Sequence, residues 1–270
     1  MFFSVLMSLY EKERPEFLRL SLESVFGQTI VASEVVLVLD GPITTALQSV
    51  VNEYASKHSE LKIIPLTNNV GLGSALNEGL KHCTCDLVIR MDTDDVCFPD
   101  RFEKQVKYME EHPDIVASSG WIEEFEEEIE NPVSIKKVPE TSDEIRHYGL
   151  TRNPLNHPAV IFRKKIIESV GSYQHFPLFE DWYLWARLMA QNYKLGNIQA
   201  PLVHFRTSSD MYKRRGGFKY AADSFRFQLT LHKLGLISYS QAIKSGMMRG
   251  IVYVMPNAIR RFIYKNLLRN

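Results

Sequence analysis

The first hundred residues alternate short apolar runs with amphipathic helical spacings, and this alternation limits the fold more than any other feature. Residues 2–9 form an apolar run that reads as a buried strand. Pro15–Phe26 follows with helical spacing through Phe17, Leu18, Leu22, Val25 and Phe26, and Pro15 suits a first helical turn. Glu34–Leu39, 61–66 and 87–91 read as three more strands, separated by helices over 46–56 and 74–82. Parallel strands need crossovers long enough to hold a helix, so this order predicts an α/β fold with a mostly parallel sheet flanked by helices. In such sheets ligands gather beyond the carboxyl ends of the strands. Asp40-Gly41-Pro42, the 68–73 loop and Asp92-Thr93-Asp94-Asp95 all fall at strand ends. Three polar segments therefore converge on one edge.

Three carboxylates within four residues, straight after a buried strand, make a poor structural feature. Two unit charges about 4 Å apart repel by roughly 4 kcal/mol at the effective dielectric near a protein surface. A cation among them removes that repulsion. With no His or Cys ligand set nearby, the oxygen donors point to Mg²⁺ or Mn²⁺ rather than Zn²⁺, with positions open to the phosphates of a nucleotide. The plainer alternative is a polar turn capping a helix that begins near Pro99. The loop Asn68-Asn69-Val70-Gly71-Leu72-Gly73 is either part of a donor pocket or a connection whose glycines permit unusual backbone angles.

Further along, 101–112 reads as a helix and 115–119 as a strand, and the acidic run from Glu123 to Glu130 reads as a solvated loop or hairpin. At 270 residues and 45% hydrophobic content the chain suits one α/β domain with an appendage, or two small domains. Cys83, Cys85 and Cys97 are odd in number and badly spaced for a disulfide framework, so reduced thiols are expected. The apolar N-terminus lacks a basic leader and reads as a first strand, not a signal peptide. No stretch of about 20 uncharged apolar residues exists, so no transmembrane helix is expected.

The zero net charge hides an asymmetry. Asp223 is the last acidic residue and 8 basic side chains follow it, leaving 24 Lys and Arg against all 32 acids in the body. A basic tail points to an anionic partner, either nucleic acid or a membrane surface. Ile259, Ile263 and Leu267 repeat at helical spacing, with Arg261, Lys265 and Arg269 about 200° away. That pattern suits an interfacial anchor on anionic lipid, or a helix packed on the body. No recognised nucleic-acid module accompanies the charge, so no nucleic-acid partner is expected.

Five segments, 4–11, 21–29, 37–41, 69–72 and 90–95, occur in order, and Glu180-Asp181-Trp182 follows. Together they resemble family 2 glycosyltransferases of the GT-A fold, above all bacterial enzymes that build O-antigen, capsule or amylovoran-type repeat units. The resemblance covers roughly residues 1–215. The expected division is a catalytic domain over 1–222, with a nucleotide-binding half (1–120) and an acceptor-binding half (121–222). A basic helical membrane-associating extension (223–270) follows.

The resemblance implies an inverting transfer of one hexose from a UDP-sugar, galactose first and glucose second. The implied acceptor is an undecaprenyl-diphosphate-linked saccharide, and the implied cofactor is Mn²⁺ or Mg²⁺. Asp40 matches the uracil-binding position, Asp92 the acid near the ribose and Asp94 the metal ligand, with Asp95 sharing either duty. Tyr10, Glu11, Asn69, Gly71 and Arg90 complete the implied nucleotide-sugar set. Asp181 matches the catalytic base and Glu180 its companion, although acids there also suit the start of the helix-like run that follows. Trp182 is a candidate platform for a sugar face, and His157 is either an acceptor contact or a structural loop histidine. Arg206, Lys213, Arg214 and Arg215 form a basic cluster, from which Arg214 or Arg215 is the candidate diphosphate ligand. The Gln-x-x-Arg-Trp motif of processive relatives is missing, which favours single-sugar addition. The expected location is cytoplasmic, peripheral on the inner face of the cell membrane. A sugar-nucleotide pyrophosphorylase would carry a glycine-rich loop after the first strand, and Ser8-Leu9-Tyr10-Glu11-Lys12 has no glycine. An inactive transferase-like membrane scaffold is opposed by the intact Asp94 and Asp181.

Overall fold

The structure, a computed structural model, describes residues 2–207 and 216–255. Strands β1 (Phe3–Leu9), β2 (Glu34–Leu39), β3 (Leu61–Pro65) and β4 (Leu87–Asp92) lie parallel in the order β3-β2-β1-β4. Helices α1 (Pro15–Phe26), α2 (Thr45–Lys57) and α3 (Leu72–His82) make the crossovers. β2 is buried at every position because helices cover both faces, which is why it reads as an unbroken apolar run. Its alternate side chains serve two cores. Val35 and Leu37 pack with Leu22, Leu47 and Val51, whereas Val36 and Val38 pack with Leu6, Leu76 and Leu80. Gly79 lets α3 lie close on the sheet, since a Cβ there would sit 2.5 Å from Leu6 Cδ1.

Beyond β4 the sheet becomes mixed. Its further members are β5 (Val96–Cys97), β6 (Ile115–Phe125), β7 (Ser134–Lys136), β8 (Ile161–Arg163) and β9 (Lys194–Arg206). The order continues β4-β8-β6-β9-β5, antiparallel except for the parallel β6/β9 pair. Helices α4 (Arg101–Glu111), α5 (Ser142–Gly149), α6 (Lys164–Ser169) and α7 (Glu180–Ala190) flank it. β6 runs well past the expected residue 119, because buried Ile122 and Phe125 continue the apolar pattern through the acids. The acidic run proves to be a hairpin with β7, in which Ser134 Oγ donates to buried Glu124 at 2.5 Å.

Two more helices follow, α8 (Phe218–Lys233) and α9 (Tyr239–Val254). The expected boundary at 222/223 falls inside α8. Phe227 and Leu231 of α8 and Ala242 of α9 are fully buried in one core with Phe179, Trp182 and Trp185. This part of the segment is therefore continuous with the main core, and the tail pattern beyond it lies outside the described residues. Among the described residues no helix is long and apolar enough to cross a membrane. All three cysteines are free thiols.

Candidate active site

β4 delivers Asp92 to the carboxyl edge of the sheet, and the chain turns through Asp95 into β5. Neighbours hold the turn. Ser21 Oγ of α1 donates to the Asp92 carbonyl at 2.8 Å, and the Arg206 N–H donates to Asp95 Oδ1 at 2.8 Å. Arg206 Nε also donates to the Asp94 carbonyl at 3.1 Å, while its guanidinium lies 3.8 Å from the centre of the Phe17 ring and 4.5 Å from that of Phe125.

Asp92, Asp94 and Asp95 bring carboxylate oxygens within 4.8 Å of one another. Burial, then the Asp92 and Glu13 charges, push the Asp94 carboxyl up to about 7. Burial, then Asp94 and Asp92, raise Asp95 well above the usual range. Asp95 Oδ2 is buried without a hydrogen-bond partner among the described residues. An all-oxygen donor set, an orphaned buried oxygen and mutually raised acids fit a hard divalent cation.

Sequence reasoning named Tyr10 and Glu11, but both are exposed, and Glu13 is the acid of that loop that turns inward. Thr93 Oγ1 donates to Glu13 Oε2 at 3.3 Å, and burial, with Asp92 adding to it, raises the Glu13 carboxyl despite the Arg14 N–H and Thr93 bonds. The only signal was its place just ahead of Pro15, where the chain must bend into α1.

Asp40 is buried and stitches two loops together. Its Oδ1 accepts the Val70 N–H at 2.7 Å, its Oδ2 accepts the Gly71 N–H at 3.1 Å, and its carbonyl accepts Asn69 Nδ2 at 3.2 Å. Gly41 makes this possible. It has φ +86°, and a Cβ would lie 2.6 Å from the Asn69 nitrogen. Gly71, at φ +84°, starts α3.

Arg90 is buried, and both its terminal nitrogens bind the Asp92 carboxylate. Side chains at i and i+2 of a strand share a face, and an interior guanidinium needs a counter-charge, so Asp92 supplies it.

The second half of the chain adds Asp181 in the first turn of α7, half-buried, with Asn153 Nδ2 donating to its Oδ2 at 2.5 Å. Glu180 beside it has a raised carboxyl, from burial first and the Asp181 charge next, against the pull of its own backbone N–H. Its Cγ lies 3.6 Å from where a Gly73 Cβ would be, so α7 and α3 meet at their N-termini. Tyr173 links the halves. Asn77 of α3 clamps its backbone, with Nδ2 donating to the Tyr173 carbonyl at 2.7 Å and Oδ1 accepting its N–H at 2.9 Å. The Tyr173 hydroxyl pairs with His157 Nε2 at 2.9 Å and feels the charges of Arg90, Asp181 and Asp92. Asn153, Asn77 and Tyr173 stand in loops or mid-helix with no local motif, so sequence reading missed them.

Two residues of the expected acceptor set are packed in by their neighbours. Trp182 is only 4% exposed, donates Nε1 to the Gly149 carbonyl at 2.9 Å and is covered by Phe227, whose ring lies 4.5 Å away. Residues 182, 185 and 189 share the inner face of α7, so this indole packs the core and offers no platform. His157 spends Nε2 on Tyr173 and packs against Trp185, while burial and Arg90 push its imidazole well below the ordinary range. Its ring is therefore neutral and held by the Tyr173 hydroxyl. Arg214 and Arg215 lie outside the described residues.

Comparison with known proteins agrees with this geometry. The family described as Glycosyl transferase family 2 matches residues 4–171. The amylovoran biosynthesis glycosyltransferase AmsE of Erwinia amylovora is 41% identical over 97% of this chain and 98% of its own. An Escherichia coli UDP-Gal:alpha-D-GlcNAc-diphosphoundecaprenol beta-1,3-galactosyltransferase is 40% identical over 99% of this chain and 96% of its own. Among solved structures, S. aureus TarS 1–349 in complex with UDP-GlcNAc superposes with a TM-score of 0.68 at 16% identity, covering 99% of this chain and 76% of that one. The fold is the expected GT-A type.

Proposed function

We propose a reaction from this premise: the chain belongs to glycosyl transferase family 2. It transfers a single hexose, galactose first and glucose second, from a UDP-sugar to an undecaprenyl-diphosphate-linked saccharide, as a step in O-antigen or exopolysaccharide synthesis. The observation that carries this reading is a three-acid cluster and an Asn153-held carboxylate near enough for Asp92 and Asp181 both to act on the Tyr173 phenol.

Asp94, with Asp92 and Asp95, would hold Mn²⁺ or Mg²⁺, which when bound offsets the negative charge developing on the departing diphosphate. Asp40 and the loop it anchors frame the base, and Tyr10 and Glu11 flank the nucleotide from the exposed side of the same edge. Asn153 fixes one oxygen of Asp181, and the carboxylate takes the proton of the acceptor hydroxyl. The acceptor oxygen bonds to the anomeric carbon as the carbon–oxygen bond to UDP breaks, and one such displacement inverts the configuration. Glu180 binds a hydroxyl of the acceptor or donor sugar beside it. Arg214 or Arg215 is the proposed ligand of the lipid diphosphate. The enzyme works at the cytoplasmic face, where an anionic membrane surface presents the acceptor.

A panel of UDP-sugars with Mn²⁺ and a water-soluble GlcNAc-diphosphate-alkyl acceptor tests this. UDP release and product formation with UDP-galactose are expected. The absence of both turnover and UDP binding across the panel would overturn the reading.

A further inference from the structure

Helix α9 presents two opposed faces. At 100° per residue, positions 242, 246, 249 and 253 fall together, and this side packs inward. Ala242 is fully buried, Arg249 lies 5.2 Å from the centre of the Trp182 ring, and Tyr253 meets Tyr220 at 4.6 Å. Lys244, Met247, Met248 and Ile251 fall on the opposite side, within about 100° of arc. Met247 and Met248 are each 58% exposed and Ile251 is 57% exposed. The Gly217 N–H donates to the Tyr253 carbonyl at 2.9 Å, which brings Phe218, 85% exposed, to the same end of the helix pair. Large apolar side chains gathered at one end of a folded domain mark a contact surface.

We infer that this face of α9, with Phe218 at its rim, is the seat of the protein on an anionic lipid bilayer. Charge decides the occupant. Lys244 stands on the face itself, no acid occurs after Asp223, and residues 256–270 add Arg260, Arg261, Lys265 and Arg269. Apolar side chains flanked by basic ones suit an interface of acyl chains beneath anionic headgroups. A second copy of the chain is a poorer fit. Four such side chains expose well under the roughly 800 Å² per partner that a stable dimer buries. The seat also has a mechanical sense. Arg249 and Phe227 press α9 and α8 onto Trp182, one residue from Asp181, so docking sets the height of the carboxylate above the headgroups.

The inference rests on the lipid-linked acceptor proposed above, and the test separates the two. The full-length protein is floated with vesicles rich in phosphatidylglycerol and, separately, with phosphatidylcholine alone. Wild type is expected to bind the anionic vesicles and to bind the zwitterionic ones weakly. Met247→Glu with Met248→Glu and Ile251→Glu should lower binding by about tenfold or more. Transfer to the soluble GlcNAc-diphosphate-alkyl acceptor should stay within about twofold of wild type. Met248→Trp supplies a reading that does not depend on the stability of the triple variant: brominated lipid should quench its added fluorescence. Unquenched fluorescence, undiminished binding by the triple variant, failure of wild type to bind, or a wild-type dimer that the triple variant abolishes would each overturn the seat. Absence of both soluble-acceptor turnover and UDP binding in wild type would instead sink the transferase reading.

Discussion

Asp181→Asn separates the chemistry from the binding of the donor. The amide matches the carboxylate in size, and its oxygen can still accept from Asn153 Nδ2, so the first turn of α7 keeps its anchor. Removing the charge also relieves the repulsion that helps to raise the Glu180 carboxyl, so the variant should be at least as stable as wild type. Only proton acceptance is lost. General-base catalysis contributes about 10²–10⁴ in rate, or roughly 2.7–5.5 kcal/mol of barrier at 1.36 kcal/mol per decade. The expected result is a kcat lowered by about two to four decades with the apparent UDP affinity nearly unchanged, because Asp181 is not among the clustered acids. Initial rates of UDP release at saturating Mn²⁺ give kcat, and calorimetric titration with UDP gives affinity. A fall in kcat of less than about tenfold would refute the base assignment. Loss of UDP binding with kcat preserved would put Asp181 on the donor side.

Four further outcomes follow from individual contacts. Asp95→Asn keeps an acceptor for the Arg206 N–H but removes a buried charge. It should raise the melting temperature of the metal-free protein by about 2–4 °C and shrink the stabilisation gained on adding Mn²⁺, read by thermal shift. Gly41→Ala puts a Cβ 2.6 Å from the Asn69 nitrogen at φ +86°, costing about 1–2 kcal/mol for the backbone alone, and calorimetry should find UDP binding weakened about tenfold. Trp182→Ala should lose about 3–5 kcal/mol of stability in denaturant titration while the acceptor KM of the folded fraction stays constant. Burial would raise the Glu34 carboxyl, but bonds from Lys62, Ser4 and Thr84 overcome it and hold it at about 2. Its contribution is therefore complete above the usual 4.5 and is lost as pH falls from there towards 2. With Lys62 partly exposed it amounts to about 2 kcal/mol, and Glu34→Gln should flatten the fall in melting temperature between neutral and acid pH.

What could be read from the sequence was what is local. β1, β2 and β4 declare themselves because helices on both faces demand mostly apolar runs, and Asp92 to Asp95 because charge so dense at a strand end needs a reason. The inward turn of Glu13 rather than Glu11 depends on Thr93, eighty residues away. Asn153 and Tyr173 come to the site only because α3, α7 and the loops between β7 and α7 meet. Trp182 misleads for a similar reason: its place beside Asp181 in sequence suggests a shared surface, but successive helical residues point about 100° apart. The basic composition of the C-terminal segment hides Phe227 and Leu231, which sit at i and i+4 on the inner face of α8.

The electrostatics of the assembled site give the physical ground for a cation. Glu13, Asp92, Asp94 and Asp95 stand together against two guanidiniums, Arg90 and Arg206. Arg90 is already committed to Asp92, and Arg206 gives its backbone N–H to Asp95 while its charge lies against Phe17 and Phe125. Behind them burial keeps the Tyr173 phenol protonated and the His157 imidazole neutral, and the buried Arg101 guanidinium is spent on the Arg90 and Pro158 carbonyls. A nucleoside diphosphate arriving at this edge brings further negative charge to carboxyls already raised by one another. Proton uptake could relieve part of that repulsion, as the elevation of Asp94 to about 7 indicates. Neutral acids, however, would leave the diphosphate without a counter-charge, which a divalent cation held by Asp92, Asp94 and Asp95 would supply.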